Sequence, residues 1–65
     1  MNYRTLATRE QVLNVLKTGM DMIDHNSPPR AIREFMAMAV YFYGLDELLY
    51  AMEYLEQYRP LLKYL

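Results

Sequence analysis

The sequence predicts an all-α protein, a compact three-helix mini-bundle with helices near 9–24, 28–43 and 46–58 and a short apolar C-terminal tail or turn. Three observations predict it. Apolar residues recur at intervals of three and four along most of the chain, which is the period of one helix face and not of a strand. Pro28-Pro29 and Gly44 interrupt that pattern at two points, and both residue types start or stop helices. The 65 residues contain no Cys, so disulfides, thiol nucleophiles and Cys-based zinc sites are excluded and packing alone must hold the fold.

The first helix is read from "TREQVLNVLKTGMDMIDHN". Thr8 followed three residues later by Gln11 reads as a capping box, which starts the helix near Arg9 and leaves residues 1–7 as a loosely ordered segment. Val12, Val15 or Leu16, Gly19 or Met20, and Ile23 form its apolar stripe, with Glu10, Asn14, Lys17, Asp21 and Asp24 turned to water. Gly19 inside such a helix costs about 1 kcal/mol relative to Ala, a cost that a close approach by another helix would explain.

In "HNSPPRAIREF" the prolines lack N–H groups and suit a first helical turn, with Ser27 as the expected N-cap. The second helix carries one stripe of Ile32, Phe35 or Met36, Ala39 or Val40, and Phe42 or Tyr43. Ala37, Met38 and Tyr41 make its opposite face apolar as well, and a helix apolar all round is usually buried on more than one side. The expected division gives Ile32, Phe35, Ala39 and Phe42 to the chain's own core and Met38, Tyr41 and Ala37 to a second chain.

Gly44 is placed for a positive-φ C-cap, and Asp46 for the N-cap of the third helix, where acids meet the positive end of the helix dipole. Leu45, Leu48, Met52 and Leu55 then repeat at helical spacing until Pro60 stops or kinks the element. With no repeat, linker or low-complexity segment, residues 1–65 read as a single helical domain.

Composition narrows function by exclusion. Seven Lys and Arg stand against eight Asp and Glu, so the chain has no strong field to attract nucleic acid or anionic lipid. The uncharged run "FMAMAVYFYGL" supplies only about half of the roughly 20 apolar residues a membrane span needs before Asp46 and Glu47 interrupt it. No secretory signal pattern opens the sequence, which predicts a cytoplasmic chain. There is no phosphate-binding Gly loop, nucleophile elbow or HExxH pair. His25 with Asp21 and Asp24 reads as a polar helix end more readily than as a metal site. The expectation is a protein that is not an enzyme, with no cofactor, no metal and no small-molecule substrate.

What the composition does supply is surplus apolar surface. Apolar residues make up 54% of the chain, while folding at this size hides only about 60% of the surface that the unfolded chain exposes. Seven Tyr and no Trp are present, and Tyr50, Tyr54 and Tyr58 stand four apart as a ridge on the third helix. Tyr suits interfaces because it buries a large ring with few rotatable bonds and keeps a hydroxyl for water. Met38, Tyr41 and Met22 lie off the core stripes and complete the candidate partner-binding set. The expected function is a small protein–protein interaction module, a regulator or inhibitor of a larger protein, of the kind that phages and mobile elements encode. A helix-turn-helix DNA-binding transcriptional regulator is the alternative, weakened by four acids and no base between Asp46 and Tyr58. A structural subunit that self-associates as a homodimer or larger homo-oligomer is the third.

Overall fold

A computed structural model describes the backbone of residues 6–65 and the side chains from Arg9 onward. Over this span the chain is all-α: α1 (Leu6–Asp24), α2 (Pro29–Tyr43), α3 (Leu45–Tyr54) and a 3-10 helix, η1 (Glu56–Tyr64). The three-helix expectation falls one element short, because the supposed apolar tail is itself helical and the third helix stops at Tyr54 instead of 58. α1 starts at Leu6, so Thr8 lies inside it and not at its cap. The expected loose segment 1–7 therefore overlaps α1 at Leu6 and Ala7, and its first five residues lie outside the described ones.

The joints follow from backbone chemistry. α1 ends in a Schellman motif: Asn26 takes φ 58°, its N–H donates to the Ile23 carbonyl at 3.0 Å, and the Ser27 N–H donates to Met22 at 2.9 Å. Asn tolerates this left-handed conformation better than most residues. Ser27 is thus used to close α1 and does not cap α2. The N-cap position is Pro28, without a side-chain cap bond, and Pro29 opens the helix. The Pro28 carbonyl accepts from the N–H of Ala31 at 2.9 Å and of Ile32 at 3.2 Å.

Between α2 and α3 a single residue does all the turning. The Gly44 N–H donates to the Val40 carbonyl at 2.8 Å, closing α2, while its own carbonyl accepts from Leu48 at 3.3 Å, opening α3. Its φ of 89° with ψ of 143° is a conformation essentially restricted to glycine. Gly44 is therefore the N-cap, and Asp46 sits inside the first turn beside Glu47, where it meets the helix dipole without a capping bond.

α3 ends at Leu55, whose φ of −110° and ψ of 93° are extended. Continuing the α-helix would set the Pro60 ring against the Glu56 carbonyl and leave that carbonyl without a donor. The chain instead proceeds as a 3-10 helix of three residues per turn, with Pro60 inside it. That period aligns Leu55, Tyr58, Leu61 and Tyr64 on one face, and all four are buried or half-buried.

Every element contacts the other three. They share one core of Val12, Leu16, Ile32, Met36, Ala39, Leu48, Met52, Tyr58 and Leu61. On α2 the inward stripe is Ile32, Met36 and Ala39, with Phe35 half-buried; Phe42 is exposed and not core as expected. The reason is angular, since at 100° per residue position 42 lies about 75° further from the Ile32–Met36–Ala39 line than position 43. The packing closes at Gly19, where an added Cβ would stand 3.0 Å from Leu61 Cδ2 and 3.5 Å from the Met36 sulfur. Gly19 admits Leu61, and Leu61 joins η1 to α1 and α2.

Two substitutions test this account. Leu61→Ala should cost about 2–5 kcal/mol, read as a fall on the order of 10 °C or more in Tm; an unchanged melting curve would mean η1 is not part of the core. Gly44→Ala should cost about 1–3 kcal/mol from backbone strain alone, since nothing lies within 4 Å of the added methyl. A Gly44→Ala protein that melts with the wild type would refute the strain.

Candidate functional site

The six residues singled out in the sequence separate into three environments. Tyr50 and Tyr54 are 66% and 75% exposed and stack on each other, with ring centroids 6.0 Å apart and planes 15° from parallel. Their spacing of four within α3 sets one ring above the other. Tyr58 is only 5% exposed and belongs to the core, so the expected three-residue ridge is a pair. The break at Leu55 rotates Tyr58 out of line with Tyr50 and Tyr54 and turns it inward. The sequence signal for this was the three-residue repeat of apolar residues at 55, 58, 61 and 64.

Beside the stacked tyrosines runs a groove between α1 and α3, about 360 Å³ in volume, lined by Arg9, Val12, Leu13, Glu47, Tyr50, Ala51, Tyr54 and Leu55. Helical spacing explains the lining: Tyr50 and Tyr54 lie on the α3 face adjoining Glu47 and Ala51, while Arg9, Val12 and Leu13 come from successive turns of α1. Its walls are aliphatic and aromatic, and its charged groups are an exposed Arg9 and a Glu47 that is buried to 9% exposure. Sequence reading missed Arg9, Val12, Leu13 and Glu47 as lining residues. Nothing in a one-dimensional pattern pairs the start of α1 with the middle of α3.

Met38 and Tyr41 lie elsewhere, on the outer face of α2. They are 60% and 83% exposed, and Tyr41 meets the exposed Phe42 edge to face at 5.3 Å. Neither residue lines the groove. Met22 is half-buried against the core and makes a poor contact point.

The polar end of α1 carries no reactive constellation. His25 Nδ1 donates to the Asp21 carbonyl at 2.7 Å, which also accepts from the His25 backbone N–H at 2.9 Å, so the ring is engaged by the helix end. Among the described residues no three His, Asp or Glu side chains converge to hold a metal ion, and no helix is long and apolar enough to cross a membrane.

The two exposures make opposite demands on mutagenesis. Tyr54→Ala should change stability by no more than about 0.5 kcal/mol, whereas Tyr58→Ala should cost about 3–5 kcal/mol; equal losses in urea titrations would contradict the placement of Tyr58. Comparison with protein-family models, with curated proteins and with solved structures finds no match.

Proposed function

We propose that this chain is a small non-catalytic interaction module, a regulator or inhibitor that binds a larger protein through the groove between α1 and α3. The supporting observation is the stacked Tyr50–Tyr54 pair on the rim. Two large rings held against each other while mostly solvent-exposed contribute little to folding, since most of their area stays wet. The same pair is pre-ordered for contact, because stacking removes part of the rotamer freedom that binding would otherwise have to remove. Interfaces draw much of their energy from such aromatic anchors at the edge of a desolvated pocket.

A groove of this size accommodates one or two apolar side chains of a partner. Arg9 on its edge adds a guanidinium that favours a carboxylate on the incoming segment. Reaction chemistry has little support here, because no nucleophile–base pair stands in the groove among the described residues. A DNA-binding reading has the right outline in α2, Gly44 and α3. The α3 surface carries Asp46 and Glu53 with no base, however, and would be repelled by phosphate.

The test is a comparative capture from the source cell. Tagged wild type, Tyr50→Ser/Tyr54→Ser and a Tyr41→Ser control are each used to retrieve partners, with circular dichroism confirming equal helicity. One protein retained by wild type and by the control, and reduced about tenfold or more with the double variant, supports the reading. The same retention by all three chains would refute it, and a salt-dependent mobility shift of duplex DNA would favour the DNA-binding alternative.

A further inference from the structure

We propose that Gly44 is a hinge at which the chain opens, joining α2 and α3 into one straight helix, so that two copies exchange α3 and η1. The joint is a single residue, and its surroundings allow it to open. A methyl added at Gly44 would meet nothing within 4 Å, and Phe42, Leu45 and Asp46 beside it are exposed. Both hydrogen bonds that Gly44 makes, to the Val40 carbonyl and from the Leu48 N–H, already span four residues as in an α-helix. Turning Gly44 from φ 89° to helical values keeps them. It also adds the three helical bonds that the turn omits, from the N–H groups of Leu45, Asp46 and Glu47 to the carbonyls of Tyr41, Phe42 and Tyr43. No proline stands between Pro29 and Pro60 to prevent a continuous helix.

The core decides what the opened chain binds. Around the straight helix, Ile32, Met36 and Ala39 lie about 170° from Leu48 and Met52, so α3 no longer reaches the α1 and α2 surfaces that it covers in the closed chain. η1 travels with α3, against which it packs. The movement bares Leu48, Met52, Tyr58 and Leu61 on one side and the α1–α2 face on the other. The surface that matches the first is the α1–α2 face of a second copy, which carries the space at Gly19 into which Leu61 packs. Each core contact that closes one chain is remade between two, and the exchange is reciprocal, which gives a closed two-fold dimer. Its complementarity is that of the folded core.

Glycine keeps the two states in balance. It takes φ 89° without the steric penalty that a side chain brings, and in the straight helix it is about fivefold less favourable than alanine. Alanine tips the balance twice, because it is strained in the closed chain and favoured in the open one. Each lobe of the dimer keeps a groove between an α1 and an α3, now from different copies, so the inference does not rest on the partner proposed for that groove.

Wild type refolded from urea at about 10 µM should elute as a single chain on size exclusion. Refolded at about 1 mM, it should include a two-chain species that persists for hours on dilution, since reversal requires the lobes to unfold. Gly44→Ala should raise the ratio of two-chain to one-chain species about a hundredfold or more with helicity kept, and two extra glycines inserted after Gly44 should leave a single chain. Complementation separates exchange from contact between closed chains. In the Gly44→Ala background, Leu16→Asp and Met52→Asp each put a charge at a fully buried position and should abolish folding alone. Refolded together, they should regain about half of the helical signal with a cooperative melt, because one lobe of the mixed dimer holds both defects and the other holds neither. A wild type with one-chain mass after refolding at about 1 mM would overturn the proposal. So would a Gly44→Ala chain that is unfolded or no more dimeric than wild type, or a mixture that regains no helix.

Discussion

The contact between Leu61 and Gly19 organises the whole molecule. A leucine from a 3-10 helix reaches a point on α1 where an added Cβ would crowd its methyls at 3.0 and 3.2 Å and stand 3.5 Å from the Met36 sulfur of α2. Glycine in mid-helix sacrifices about 1 kcal/mol of helix propensity relative to alanine. Fully burying Leu61 returns roughly 1.5–3 kcal/mol and fixes the path of the last nine helical residues. A chain of 65 residues has a total stability of only about 3–10 kcal/mol. One such contact therefore weighs heavily. Without it the core shared by α1, α2 and α3 would lose its cover from η1, whose buried residues are Tyr58 and Leu61.

The remaining apolar surface is a consequence of size. Four short elements around one set of core side chains have only one inward face each, and the other faces meet water whatever they carry. On α2 that outward face bears Met38, Tyr41 and Phe42, and on α3 it bears Tyr50 and Tyr54. Polar residues at these positions would leave the packing intact. Their apolar character is thus independent of folding, and the contact proposed for the α1–α3 groove follows from that independence.

Helix periodicity made the all-α class legible, together with the positions of α1, α2 and the start of α3. Proline at the beginning of α2 and glycine after it marked two joints for reasons of backbone chemistry alone. The C-terminal third was harder, because Leu55, Tyr58, Leu61 and Tyr64 are inward only if the helix tightens to three residues per turn, while an α-helical reading puts Tyr58 beside Tyr54. Capping was misassigned at Thr8, Ser27 and Asp46 for a related reason. Side-chain capping preferences are worth about 1 kcal/mol, and here Pro28 and Gly44 stand at the N-cap positions expected for Ser27 and Asp46. Of the candidate site, the exposed tyrosines of α3 were readable from spacing. The α1 wall of the groove was not, since it depends on how distant elements pack.

The extended residue Leu55 has an effect that reaches past geometry. It divides one repeated letter of the sequence into two kinds of position: Tyr54, whose ring lies on the surface, and Tyr58, whose ring fills the interior. Changes at 50 and 54 alter the solvent-facing surface and barely touch whether the protein folds, while changes at 58 and 61 do the reverse. A domain this small would ordinarily find those two demands entangled in the same side chains. Here a single non-helical residue separates them, so the exposed rings can change on an unchanged frame.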